Sequence, residues 1–215
     1  MAPRLYMMET CPAVRSVLLT AKALGITLDL VRMDLSKGEN LIPEYLKLNP
    51  QHTVPTLDDD GLVITDSHSI DSYLVEKYAS GNSLYPKDPC QRAILNQRLY
   101  FDSGVLFPRM LTILKPLLQK EKDIPNEKLA DVIEAYEFLE KFLEDQQWIA
   151  GNSVTLADLS LIATVTSSDV IVSIDEKKFP NIVGWIKRAK DLPYYSANEA
   201  GLDMFRNLVK GLLNA

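Results

Sequence analysis

Three short stretches combine residue types that can do chemistry with a spacing that suits it: "TCPAVR" with Cys11 before Pro12, "NPQHTVPTL" with Val54 before Pro55, and "TDSHSI" with Asp66 before Ser67. Pro12 suits the first position of a helix, where its missing N–H costs nothing, and this makes Cys11 the N-cap. A thiol there faces unpaired backbone N–H groups and the positive end of the helix dipole. Such a place favours a thiolate, either the residue's own or that of a bound ligand. The same position also suits a small buried hydrophobe, a common fate of a free cysteine.

The second stretch offers a backbone rather than a side chain. A cis bond between Val54 and Pro55 would turn the Val54 N–H and C=O outward toward a peptide-like ligand, whereas a trans proline would merely begin an edge strand. In the third stretch, Asp66 and Ser67 stand at the start of a helical pattern. They can cap it, or the exposed N–H groups and the serine hydroxyl can hold a carboxylate while Asp66 receives an ammonium. Together these would suit the α-carboxylate and α-amine of an amino acid.

The elements that position these groups can be read from the hydrophobic pattern. "RLYMM" reads as a strand, "PAVRSVLLTAKAL" as a helix closed by Gly25, and "TLDLVRMDL" as a strand of alternating faces. This is a βαβ unit, so a parallel pair is expected. "VPTLDDDGLVIT" reads as a hairpin around an Asp-Gly turn, and "SHSIDSYLVEKYA" as a helix. Beyond the turn-rich "SGNSLYPKDP" the pattern is helical throughout, over 90–119, 127–145, 155–172, 181–191 and more weakly 197–213. "VTLADL" supplies Thr155 as N-cap, Asp158 as its capping partner, and Val154 with Leu159 as a hydrophobic staple. A small α/β domain over residues 1–81 therefore precedes an all-helical domain over residues 88–215.

The composition narrows the chemistry. A formal charge of −6 on 215 residues disfavours nonspecific binding to nucleic acid or an anionic membrane surface. Charges interrupt every long apolar run, and no signal peptide is evident, so a cytosolic protein is expected. Two cysteines, Cys11 and Cys90, and two histidines, His52 and His68, are too few for a disulfide scaffold and make an all-protein metal centre unexpected.

Taken in order, Cys11-Pro12 with Arg15, "NPQHTVP", "TDSHSI" and "TLADLS" resemble a cytosolic glutathione transferase along essentially the whole chain. "LNPQHTVPTLDDDG", "SLYPKDP" and "FDSGVLFPRM" are similar to the insect delta and epsilon classes, with epsilon the closer. The resemblance implies a thioredoxin-like N-terminal domain, a helical C-terminal domain and a homodimer, with helices 67–78 and 90–119 forming most of the interface. It also implies glutathione as co-substrate, with no cofactor. On that basis Val54 and cis-Pro55 would pair with the backbone of glutathione's cysteinyl unit, Asp66 and Ser67 would hold its γ-glutamyl end, and His52 would lie near its glycyl end or backbone. Thr155 and Asp158 match the family's capping box.

Three positions depart from the pattern. Cys11 stands where the epsilon pattern has a serine that donates to the glutathione sulfur, Asn40 stands where a histidine commonly contacts the glycyl carboxylate, and Asp66 shortens the usual glutamate. A thiol is a weaker donor than a hydroxyl, but it can attack a disulfide as serine cannot. Cysteine-proline at a helix start is also similar to omega-class transferases and glutaredoxins. Val14 occupies the position of a second CxxC cysteine, so any redox cycle would be of the monothiol type, and Cys90 reads as a structural thiol.

An acceptor site is expected between the domains, lined by Phe107, Met110, Leu111 and Leu114, with Leu35 and Phe205 closing it and Pro108 kinking or breaking the helix. The leading function is transfer of glutathione to a hydrophobic electrophile. A glutathione-dependent thiol transferase with Cys11 as nucleophile and a non-catalytic binder of glutathione or apolar ligands are the alternatives.

Overall fold

The computed structural model describes residues 2–121 and 123–214. Its N-terminal part runs β1 (Arg4–Met7), α1 (Pro12–Ala23), β2 (Asp29–Arg32), α2 (Pro43–Leu48), β3 (Thr56–Asp59), β4 (Leu62–Thr65) and α3 (Ser67–Tyr78). The four strands form one sheet in the order β2-β1-β3-β4. β1 pairs with β2 in parallel, and β3 pairs antiparallel with both β1 and β4. This is the thioredoxin-like arrangement of the βαβ and ββα units. The β3–β4 turn places Asp60 and Gly61 at φ of 56° and 88°, the positive angles that a tight hairpin demands and that Asp-Gly tolerates.

Strand alternation decides which side each helix covers. Leu5 and Met7 of β1 and Leu57 of β3 bury against Val14, Val17 and Ala21 of α1 and Ile70 and Leu74 of α3. Tyr6 points to the opposite face, where its ring meets Tyr45 of α2 edge-on at 5.5 Å. Helix α2, only six residues long, has too few turns to show a periodicity in sequence. The second strand is shorter than the pattern of residues 27–35 suggests, because Asp34 caps a 3₁₀ turn over Leu35–Lys37 by accepting from Ser36 N–H.

The C-terminal part comprises α4 (Pro89–Phe101), α5 (Phe107–Leu118), α6 (Asn126–Phe142), α7 (Leu156–Ile171), α8 (Pro180–Lys190) and α9 (Ser196–Asn214). Every residue of α7 from Leu156 to Ser168 is buried, which makes it the central helix of the bundle. At its start the Asp158 carboxylate accepts from Thr155 N–H (2.8 Å), Ile149 N–H (2.8 Å) and Trp185 Nε1–H (3.0 Å). Leu19 of α1 and Val75 of α3 join the main core of the helical part, so the two parts share an apolar interface. Among the described residues, no helix is long and apolar enough to cross a membrane.

The helical stretch over 90–119 is broken close to Pro108, as expected, although by a π-helical turn rather than a simple kink. A π-helical turn spans Asp102–Leu106 between α4 and α5, closed by Phe107 N–H donating to the Asp102 carbonyl. Pro108, the second residue of α5, has no N–H to give and its ring crowds the carbonyl four residues back, so a wider turn before it relieves the clash. Cys90 is exposed on the first turn of α4, after the Asp88 cap and Pro89. A structural role in the core is therefore excluded, because no packing surrounds it.

Candidate functional site

The three motifs meet in one cleft. Its volume is about 490 Å3, and its walls include Cys11, His52, Val54, Pro55, Asp66, Ser67 and, on the side of the helical domain, Phe107 and Leu111. Each is delivered by the end of an element. Cys11 is the extended N-cap of α1, with Pro12 following. The Val54–Pro55 peptide bond is cis and immediately precedes β3. Asp66 is the N-cap of α3 at φ 68°, and Ser67 is its first residue.

Cys11 makes no capping bond of its own. Its Sγ lies 3.8 Å from the Val54 carbonyl, a long contact in which the thiol donates. Burial pushes the thiol pKa up, against the opposing pull of the Val14 and Ala13 N–H groups and of Arg15. The helix terminus favours a thiolate either at Cys11 or on a bound ligand; for Cys11 itself desolvation outweighs it, and the group is held as a neutral S–H donor.

Asp66 acts first as a cap. Its Oδ1 accepts from the His68 N–H (3.0 Å) and the Ser69 N–H (3.2 Å). The His68 imidazole beside it, more than these backbone bonds, holds its pKa down, so the mouth of α3 carries a fixed negative charge. The Ser67 side chain is buried on the cleft wall. Asn40 does not line the cleft. Its Nδ2 donates to the His52 carbonyl at 2.7 Å and so braces the loop that carries His52, whose φ is 48°.

The acceptor-side expectations divide. Leu35, Phe107 and Leu111 line the cleft. Met110, Leu114 and Phe205 are 1%, 7% and 2% exposed and pack with Val209 in a separate apolar cluster. They form the backing behind the wall rather than the wall. The reason lies in the phase of α5, whose cleft face is the row Phe107, Leu111 and Lys115, one residue in four.

Several groups escaped the sequence reading. Gln51, Thr53, His68, Asp102, Ser103, Lys115 and Thr164 also border the cleft. Behind its polar end, His68 Nε2 donates to Asp102 Oδ2 (3.2 Å) and to Ser160 Oγ (2.8 Å), and the Ser160 hydroxyl donates in turn to Asp102 (2.6 Å). Burial works against an imidazolium at His68, yet the carboxylates of Asp102 and Asp66 outweigh it and lift its pKa to about 10. The charged ring thus fastens the first turn of α3 to α7 and to the π-helical turn. The residues lie 34 and 92 positions apart, and only the Asp-Ser-His string hinted at one of them.

With cysteine, cis-proline backbone and helix N-terminus in one cleft of a thioredoxin-like fold, the comparison with known proteins is decisive. Residues 5–83 match the family model described as glutathione S-transferase, N-terminal domain, and residues 99–193 match glutathione S-transferase, C-terminal domain. The chain belongs to the glutathione S-transferase family. It is 41% identical to glutathione S-transferase 1 of Manduca sexta, with 100% of each chain covered. An epsilon-class glutathione S-transferase from the housefly, Musca domestica, superposes with a TM-score of 0.94 at 44% identity, covering 98% of each chain. A glutathione transferase homolog from Drosophila mojavensis, solved with bound glutathione, has the same TM-score at 44% identity, over 97% of this chain and 96% of that one.

Proposed function

We propose that this transferase binds glutathione along Val54, Pro55, Asp66 and Ser67 and adds its sulfur to a hydrophobic electrophile lying over Leu35, Phe107 and Leu111. The observation that carries the reading is the continuity of one cleft from Cys11 and the N-terminus of α3 to the apolar row of α5. A peptide at Val54 would find an N–H with no partner among the described residues and a carbonyl engaged only by the long Cys11 contact. At the mouth of α3, the Ser67 hydroxyl and its own N–H suit the γ-glutamyl carboxylate, and the Asp66 charge suits its ammonium.

Conjugation needs the glutathione thiolate beside an acceptor. The thiol of Cys11 donates to that sulfur, the N-terminus of α1 adds its partial positive charge, and the apolar wall orients the acceptor so that the two reactants meet at high effective concentration. No further cofactor is required, since glutathione itself supplies the nucleophile. A raised thiol pKa at Cys11 counts against its use as a redox nucleophile, which must be a thiolate. That a homologue at 44% identity was solved with bound glutathione supports glutathione as the ligand. We read the working form as a cytosolic homodimer, with the groove between α3 and α4, edged by the 72% exposed Tyr100, as the seat of the second copy.

Titration calorimetry with glutathione, followed by turnover with an aryl halide, tests this function. Binding at or below millimolar concentration is expected, and Ser67→Ala weakens it by about 1.5–3 kcal/mol through loss of one bond to a charged group. Absence of binding to the folded protein overturns the reading.

A further inference from the structure

The apolar wall of the acceptor site ends in a cation. Phe107, Leu111 and Lys115 succeed one another at intervals of four on the cleft face of α5, so the row spans about 12 Å along the helix axis at 1.5 Å per residue. Leu35 and Thr164 border the same cleft from the loop after β2 and from α7.

The charges nearby are otherwise engaged. Arg109, the other cation of α5, binds the Glu134 carboxylate at 2.7 Å and the Asp131 carbonyl at 2.6 Å, away from the cleft. Lys37, close to Leu35 in sequence, pairs with Asp34 at 3.0 Å. Lys115 makes no ion pair or side-chain hydrogen bond among the described residues. The carboxylates that border the cleft, Asp66 and Asp102, are tied to α3 and to the His68–Ser160 network at the polar end. A positive charge terminating an apolar row fits a ligand with an apolar body and an anionic end.

Resting on the glutathione-conjugating reading above, we infer that this transferase prefers amphipathic acceptors, hydrophobic electrophiles bearing a carboxylate or similar anion, and that Lys115 determines the preference. With an α,β-unsaturated ketone as acceptor, the glutathione sulfur bonds to the β-carbon, the proton released from the thiol ends on the α-carbon, and nothing leaves. Lys115 touches only the remote anion and takes no part in the bond change.

A matched pair of aryl enones, one carrying an oxyacetic acid and the other its methyl ester, tests the inference. The expected result is a higher kcat/KM for the acid, with the acid-to-ester ratio falling about two- to fivefold in Lys115→Met, the range of a partly exposed ion pair, and further in Lys115→Glu. A lysine in the last turn of α5 also complements the helix dipole, but that role would move thermal stability and leave the ratio alone. A ratio unmoved by either substitution overturns the inference, as does a rise in the KM for glutathione that is equal with both acceptors, which would assign Lys115 to a glutathione carboxylate. Should the wild-type protein conjugate neither acceptor, the conjugating function fails. Calorimetric affinities for the acid and the ester in wild type and Lys115→Met then read the preference directly, with the same ratios supporting or overturning it.

Discussion

Arg15 Nη1 donates to Asn198 Oδ1 at 2.6 Å, and with that bond helix α1 is tied to α9, 183 residues away. The guanidinium is fully buried and, among the described residues, has no carboxylate partner; its other bonds go to the Ala163 carbonyl and the Ser167 hydroxyl, and Nε has none. Burial pulls its pKa down to about 10, so it remains charged at neutral pH. Directly alongside, Gly201 of α9 leaves room for nothing more: a Cβ there would stand 2.2 Å from the Glu9 carbonyl oxygen and 2.7 Å from Arg15 Cδ.

Truncating Asn198 to Ala leaves a buried cation one acceptor short. The expected loss is about 1.5–3 kcal/mol of folding stability, read as a lower urea midpoint at unchanged slope. Gly201→Ala, which must push α9 away from the Glu9 backbone, is expected to cost about 1–3 kcal/mol. An unchanged midpoint in both variants would show that α9 is not held through this contact.

Cys11 separates conjugation from thiol exchange. In Cys11→Ser a stronger donor replaces the S–H, so turnover with an aryl halide is expected to hold or rise, while any reduction of a mixed disulfide disappears. Mass spectrometry adds a second reading. A stable 1:1 glutathione adduct on Cys11 after exposure to oxidised glutathione would contradict the donor role and favour the redox one.

Buried Asp71 gives stability a pH dependence. Its Oδ2 accepts from the Ser16 hydroxyl at 2.5 Å, while Asp71 Oδ1 and the Thr20 hydroxyl have no partner among the described residues. Burial raises its pKa to about 7, against the Ser16 hydroxyl and the charge of His68. The unfolded chain releases this proton near pH 3.9 and the folded one near 7, so stability falls as pH rises between those values and levels off above. In Asp71→Asn that fall is absent. The melting temperature of the variant relative to wild type is expected to climb from pH 4 to pH 7 and then plateau; a constant difference would refute the assignment. Asp158, lifted to about 6 by burial, acts in the same direction in both proteins and cancels.

Assembly is checked by light scattering. The chain has a mass of 24.2 kDa, and twice that mass is expected at micromolar concentration. A particle of one chain's mass would remove the dimer, and a charge placed on the α3–α4 groove by Ser72→Glu is expected to shift the equilibrium toward single chains.

Local signals were the legible ones. Pro12, Asp66 and Thr155 each mark a helix start within a few residues, and Asp60-Gly61 marks its hairpin, because the backbone groups that need satisfying lie next to the residues that satisfy them. Long-range meetings were not legible. His68, Asp102 and Ser160 belong to three elements and come together only through packing. Periodicity alone showed that α5 is amphipathic in a broad sense, but it could not say that Phe107 and Leu111 face the cleft while Met110 and Leu114 face the core. That choice depends on a turn whose width no hydrophobic pattern encodes.

The π-helical turn at Asp102–Leu106 therefore sets the rotational phase of everything after it. One residue more or less in an α-helix rotates the following side chains by about 100°. Removing a single residue from this turn, and so restoring an unbroken α-helical path from α4 into α5, would swing the row of Phe107, Leu111 and Lys115 off the cleft and carry neighbouring residues into its place. The gain or loss of one residue in this turn is thus a coarser change to that wall of the cleft than any substitution in the row itself, and, because Asp102 also holds His68, it reaches the first turn of α3 as well.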